Sequence, residues 1–132
     1  MMVQRIEALV VEDDDQLRTM LDDVLTANGY LVQTASDGLN AISSMERSRP
    51  AIVLTDFTMP HMDGLELLTV IHASWPESPV ILHSGNMSDT VTRQAMEAGA
   101  YACLIKQGDM GLLLKTIAAA ISTMQPSHQT AA

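Results

Sequence analysis

Five short apolar runs alternate with five helical patterns along this chain, and that alternation limits the fold more than any other feature. The runs consist of aliphatic residues bounded by turn residues, which is typical of buried strands. Between the runs, apolar residues recur at the spacing of one helical face, as at Leu17, Leu21 and Leu25. Successive strand–helix–strand units give a parallel sheet covered on both faces. The sequence therefore predicts an α/β fold of three layers, with five strands and five helices.

Turn and capping residues set the predicted boundaries of these elements. Asp14 or Asp15 is expected to cap the first helix, Ser88 the fourth and Asp109 the fifth, because side-chain oxygens at these positions accept hydrogen bonds from free backbone N–H groups. The second helix is predicted at residues 38–47. The predicted strands are residues 6–11, 30–34, 52–55, 80–84 and 101–105.

Composition narrows the class of protein. The 132 residues suffice for one domain, predicted at 1–125 and followed by a disordered polar tail at 126–132. The net charge of −9 repels phosphate backbones, so direct binding to nucleic acid is not expected. The single cysteine excludes an internal disulfide, and no apolar run is long enough to span a bilayer. These features predict a cytoplasmic domain without membrane association, whose partners are proteins or metal ions.

Reactive side chains follow four of the five predicted strands. Glu12 and Asp13 follow the first strand, Asp56 the third, Ser84 closes the fourth and Lys106 follows the fifth. The carboxyl ends of parallel strands meet at one edge of the sheet, where ligands of open α/β folds bind. We therefore expect these five residues to gather there.

The chemistry of this set points to a divalent cation and a phosphoryl group. Three neighbouring carboxylates repel one another unless a cation neutralises them, and oxygen ligands favour Mg²⁺, with Mn²⁺ as the alternative. Lys106 and Ser84 offer a positive charge and a hydroxyl, which phosphoryl transfer uses for charge neutralisation and positioning. Asp56 is then the predicted nucleophile, forming an acyl phosphate.

Four segments carry a resemblance to a known family. ALVVEDD, LTDFTMPHMDG, PVILHSG and GAYACLIK resemble, in order, the motif regions of response-regulator receiver domains of two-component signalling, and the resemblance extends from Ile6 to about Met124. It implies a flavodoxin-like (CheY-like) fold with a five-stranded parallel sheet of order 2-1-3-4-5. It also implies a phosphoacceptor that assists its own phosphorylation and dephosphorylation, rather than an enzyme acting on a separate substrate.

The resemblance assigns a role to each site residue. It implies that Glu12 and Asp13 place Mg²⁺, that Asp56 is the phosphoacceptor and a metal ligand, and that Thr58 lends the metal its backbone carbonyl. Ser84 is implied to be the switch hydroxyl that contacts the phosphoryl group, and Lys106 to pair with the phosphoryl oxygens or with free Asp56. No further cofactor is expected.

The implied partners are proteins. The phosphoryl donor would be a sensor histidine kinase or a histidine phosphotransfer protein, and a downstream target would bind the face formed by the fourth helix, the fifth strand and the fifth helix. A homodimer is a further option. The chain would be either a stand-alone receiver or a piece of a larger regulator or hybrid kinase.

Two positions depart from the family pattern. Cys103 stands where receivers usually carry an aromatic residue, and Gln107 stands where they usually carry proline. A weak ring-coupled switch is therefore predicted, with Tyr101 as a substitute because it should lie on the same face of the strand as Cys103. A trans bond is predicted before Gln107, since a cis bond there would cost about 3 kcal/mol.

Two other functions compete with this interpretation. A pseudo-receiver would bind partners without being phosphorylated, and Cys103 and Gln107 keep that alternative open. A Mg²⁺-dependent phosphohydrolase with an aspartyl nucleophile would carry that nucleophile after the first strand, which Glu12, Asp13 and Asp14 could imitate. No segment of the chain is long enough for the cap insertion of such enzymes.

Overall fold

The computed structural model describes residues 5–106 and 108–123, in which five strands alternate with five helices. The strands are β1 (Ile6–Val11), β2 (Tyr30–Ala35), β3 (Ile52–Thr55), β4 (Val80–Ser84) and β5 (Ala102–Ile105). The helices are α1 (Asp15–Ala27), α2 (Gly38–Arg47), α3 (Gly64–Ser74), α4 (Asp89–Glu97) and α5 (Met110–Thr123). The predicted tail at 126–132 lies outside the described residues.

The strands form one parallel sheet of order β2-β1-β3-β4-β5. This is the predicted flavodoxin-like order, and that prediction is confirmed. The chain moves outward from β1 to the β2 edge, then crosses back to β3 and continues in the other direction. The strand order therefore reverses between β1 and β3, the point where open parallel sheets bind ligands.

Each strand sends alternate side chains to opposite faces of the sheet, and each face has its own core. Leu9, Val53 and Leu82 belong to the cluster that also contains buried residues of α2, α3 and α4. Val10 and Leu54 belong to the cluster packed against α1 and α5. Burial on both faces explains why the strands read as continuous apolar runs.

Local signals define most of the element ends. Asp14 caps α1 by accepting hydrogen bonds from the backbone N–H groups of its first turn, and Ser88 caps α4 in the same way. Gly29 and Gly99 follow α1 and α4 with φ angles of +95° and +111°, a conformation that favours glycine. The caps predicted for the first and fourth helices are confirmed. None of the described helices combines the length and apolar character needed to cross a membrane.

Candidate metal and phosphoryl site

Backbone hydrogen bonds hold three of the predicted site residues at the carboxyl edge of the sheet. The N–H of Glu12 donates to the carbonyl of the last residue of β2 at 3.0 Å, and that of Asp56 to the last residue of β1 at 3.0 Å. The N–H of Lys106 donates to the last residue of β4 at 2.8 Å. The sheet ladder thus continues one residue beyond these strands and fixes where each side chain starts.

Three carboxylates cluster at this edge, as the sequence predicts. One oxygen each from Glu12, Asp13 and Asp56 lies within 4.8 Å of the others. Glu12 is 2% exposed and Asp56 is 6% exposed, whereas Asp13 is open to solvent. An all-oxygen set with one solvent-facing member suits a hard cation such as Mg²⁺, which retains several waters when protein carboxylates bind it.

The ammonium of Lys106 bridges two of these carboxylates. Its Nζ lies 3.0 Å from Oε1 of Glu12 and 3.1 Å from Oδ2 of Asp56. Burial raises the pKa of Glu12, although its hydrogen bond with Lys106 opposes that effect. Burial lowers the pKa of Lys106, but the hydrogen bonds to Glu12 and Asp56 outweigh burial and raise it above the usual value. Lys106 therefore stays charged beside Asp56 at neutral pH.

The second oxygen of each buried carboxylate is held by a backbone N–H group. Oδ1 of Asp56 accepts a hydrogen bond from the N–H of Phe57 at 2.7 Å, and Oε2 of Glu12 accepts one from the N–H of Asp14 at 3.1 Å. With Lys106 on the other oxygen, both carboxylate planes are fixed. The site is therefore preorganised before any ligand binds.

Within the described residues, no hydrogen bond joins Ser84 or Thr58 to the carboxylate of Asp56. Ser84 is buried at the end of β4, and its hydroxyl donates to the carbonyl of Asn86 at 3.3 Å. Thr58 is exposed in the loop that follows β3, two residues after Asp56. Their predicted contacts with a phosphoryl group and a metal ion stay predictions.

The prediction that Tyr101 and Cys103 share a face of the strand is wrong. Strand β5 begins at Ala102, so Tyr101 precedes the pleated segment and the alternation of strand side chains does not reach it. Tyr101 packs against the core on the α1 and α5 side, whereas Cys103 packs against the opposite core. The shared-face argument for Tyr101 as a substitute is thereby removed, and a switch role for Tyr101 stays a prediction. The bond before Gln107 lies outside the described residues.

Sequence reasoning missed two residues that support the site. Arg18 of α1 donates from Nη1 to the backbone carbonyl of Glu12 at 2.8 Å, which ties the acidic loop to the helix. Gly64 packs directly on the Asp56 loop, because a Cβ at this position would lie 2.3 Å from the carbonyl oxygen of Asp56. The turn sequence Asp63-Gly64 hints at the second contact, but no local pattern reveals the first.

Comparisons with known proteins agree on one family. The family profile described as response regulator receiver domain matches residues 8–118. The DNA-binding transcriptional regulator NtrC of Proteus hauseri is 29% identical over 127 residues, covering 96% of this chain and 27% of that protein. The chain thus spans about a quarter of the length of this curated relative.

Solved structures show the same fold. A CheY-like response regulator receiver domain protein from Methanospirillum hungatei superimposes with a TM-score of 0.89 at 25% identity, covering 94% of this chain and 99% of that one. The beryllofluoride-activated NtrC4 receiver domain dimer gives a TM-score of 0.85 at 28% identity, with coverage of 90% and 98%.

Proposed function

Because the chain belongs to the response regulator receiver domain family of two-component systems, we propose that Asp56 is its phosphoacceptor. The donor in this proposal is the phosphohistidine of a sensor kinase or of a histidine phosphotransfer protein. The observation that carries the proposal is the Lys106 bridge, which places an ammonium 3.1 Å from Oδ2 of Asp56. A carboxylate held beside a fixed cation can receive a phosphoryl group without first reorganising its surroundings.

The transfer is a displacement at phosphorus. A carboxylate oxygen of Asp56 forms the new P–O bond, the P–N bond to the donor imidazole breaks, and the imidazole nitrogen takes up a proton. Lys106 neutralises charge on the phosphoryl oxygens, and the Ser84 hydroxyl turns from Asn86 to donate to one of them. Positioning and charge neutralisation are the main protein contributions to such a step.

In this proposal Glu12, Asp13 and Asp56 hold a Mg²⁺ ion, with the backbone carbonyl of Thr58 as a further ligand. The ion supplies positive charge next to the phosphoryl oxygens. The three clustered carboxylates support this assignment, and Mn²⁺ fits the same oxygen donors. Solvent-facing Asp13 leaves a path for the ion to enter.

The test is incubation with acetyl phosphate and Mg²⁺, followed by intact-protein mass spectrometry. We expect one phosphoryl group per chain, none on Asp56→Asn, and an unchanged yield on Asp23→Asn, which alters an exposed carboxylate of α1. Chelation of Mg²⁺ should suppress labelling. Labelling of Asp56→Asn equal to that of the unaltered protein would assign the acceptor elsewhere.

We place the surface that binds a downstream target on α4, β5 and α5. Each of these elements carries a large apolar side chain with about half of its surface exposed, namely Met96, Ile105 and Leu112. A target protein or a second copy of the chain would cover them, and the beryllofluoride-activated NtrC4 receiver domain is a dimer. The free thiol of Cys103 supports a reducing, cytoplasmic location.

Sedimentation with and without phosphorylation tests this surface. We expect phosphorylation to change self-association or partner affinity, and Ile105→Asp to abolish that change. Leu39→Asp serves as the matched control, because Leu39 has the same 56% exposure as Ile105 but lies on α2. If binding by Asp56→Asn equals that of the phosphorylated protein, the pseudo-receiver alternative is the correct one.

A further inference from the structure

A polar groove lies at the β2 edge of the sheet. Its volume is about 380 Å³, and it is lined by β2, the start of the β2–α2 connection, α2 and one side chain of α1. Two arginines, Arg18 and Arg47, contribute to its wall. The chain has only 7 lysine and arginine residues against 16 acidic ones, and two of those 7 line this single groove.

The arginines of the groove hold unused hydrogen-bond donors. Arg18 uses Nη1 on the carbonyl of Glu12 and Nη2 on Asp15, which leaves three of the five N–H bonds of a guanidinium unused. Arg47 is exposed, and no carboxylate in the described residues pairs with it.

The amide of Gln33 adds further donors. Oε1 of Gln33 accepts a hydrogen bond from the Ser44 hydroxyl, whereas its NH₂ group donates to no group in the described part of the chain. Asn40 donates one hydrogen bond from its NH₂ group, to Ser36, and within the described residues its second N–H and its side-chain oxygen make none. The complementary ligand is rich in acceptor oxygens and carries negative charge.

We propose that this groove binds a small organic dianion, with one anionic group on Arg18 and the other on Arg47. The two arginines come from opposite faces of the sheet, α1 and α2, and the groove has room for more than a single oxyanion. Planar guanidinium groups suit carboxylate and phosphate oxygens equally. The proposal does not depend on phosphorylation of Asp56.

Asp15 competes with the proposed ligand for the guanidinium of Arg18. Its Oδ1 lies 2.5 Å from Nη2 of Arg18, and its side chain is 85% exposed. An exposed ion pair of this kind is weak, so an incoming anion can displace it. Removal of the Asp15 charge should therefore free Arg18 and strengthen binding, which is the opposite of the effect of removing an arginine.

The experiment uses succinate and glutarate as dicarboxylate probes, methyl phosphate as the phosphate probe and succinamide as the neutral match, without phosphoryl donor or Mg²⁺. Binding is followed by ¹H–¹⁵N NMR at constant ionic strength. We expect shifts at Gln33, Asn40 and Ser43 with succinate and none with succinamide. A stronger response to methyl phosphate, which has a single anionic group, than to either dicarboxylate would overturn the assignment of one anionic group to each arginine.

Variants decide whether the two arginines hold the probe. Arg47→Gln should weaken succinate binding about fivefold, whereas Arg93→Gln, an exposed arginine of α4, should leave it unchanged. Asp15→Asn should tighten binding, and Asp23→Asn on the same helix should not. Equal shifts with succinamide, equal weakening by Arg47→Gln and Arg93→Gln, or shifts confined to residues outside the groove would each overturn the proposal.

Discussion

Replacement of Lys106 by methionine tests the central electrostatic contact of the site. The change keeps most of the apolar stem and removes the ammonium that lies 3.0 Å from Glu12 and 3.1 Å from Asp56. Two carboxylates that are almost wholly buried then lose their only side-chain cation in the described residues. The folded state should therefore be destabilised. The uncompensated charge of Glu12 should contribute more to this loss than that of Asp56, because Glu12 is the more buried of the two.

The size of the loss follows from three terms. At an effective dielectric constant of about 20, each contact is worth about 5 kcal/mol before desolvation is counted. Desolvation offsets most of that gain, leaving about 1.5–3 kcal/mol for a charge-assisted hydrogen bond. The Lys106 side chain is 21% exposed, so solvent screening reduces the sum further. We expect a loss of about 2–3 kcal/mol in the free energy of unfolding near neutral pH.

Urea unfolding monitored by the fluorescence of Trp75, the single tryptophan, measures this loss. The control is Lys115→Met, which removes the other lysine, an exposed one on α5, and should change stability by less than about 0.5 kcal/mol. Addition of Mg²⁺ should recover part of the loss in Lys106→Met, because a cation bound to the carboxylates replaces the missing charge.

The pH dependence of the free energy of unfolding tests the Lys106 bridge more stringently than the loss at neutral pH does. Burial raises the pKa of Glu12 above its ordinary value of 4.5, so folding takes up a proton and stability falls as pH rises from 4.5 through the folded pKa. Without Lys106 that pKa rises further and the fall is larger. The difference between the two proteins should therefore be small below pH 4.5 and largest above the Glu12 pKa. A difference that is independent of pH, or equal to that of Lys115→Met, would refute the bridging role of Lys106.

Three further changes test the packing and protonation of the scaffold. Gly64→Ala should cost about 1–3 kcal/mol in urea unfolding because its Cβ would lie 2.3 Å from the Asp56 carbonyl, whereas Gly85→Ala, with no atom within 4 Å, should not; equal effects would contradict the close approach. Asp63→Ala removes the capping box with Glu66 at the start of α3 and should cost about 1 kcal/mol, against little change for exposed Glu46→Ala; no loss would show that the cap is dispensable. Burial lowers the pKa of His83 below 6.5, so the stability of the unaltered protein should fall as pH decreases from 6.5 through the folded pKa, and this acid loss should be smaller in His83→Leu; identical acid profiles would refute that burial effect.

The fold could be predicted largely from local patterns. Apolar runs, helical spacing and capping residues located all ten elements, and most ends agree within a residue. The prediction for Tyr101 was wrong, because a strand was predicted to begin there but β5 begins at Ala102. The assumed alternation therefore put its ring on the wrong face. Alternation between faces holds only within the pleated segment, so it does not determine the face of a residue that lies just outside the strand.

The sequence by itself determined which residues stand at the strand ends, because hydrophobic periodicity and turn chemistry act over a few residues and are visible in one segment at a time. It thereby placed Glu12, Asp13, Asp56, Ser84 and Lys106 at one edge of the sheet. Only the tertiary structure decided that Lys106 joins Glu12 to Asp56, that Arg18 holds the Glu12 carbonyl, and that Arg18 and Arg47 share a groove. These contacts join segments far apart in sequence, so they depend on strand order, sheet register and side-chain rotamers, which no single segment specifies.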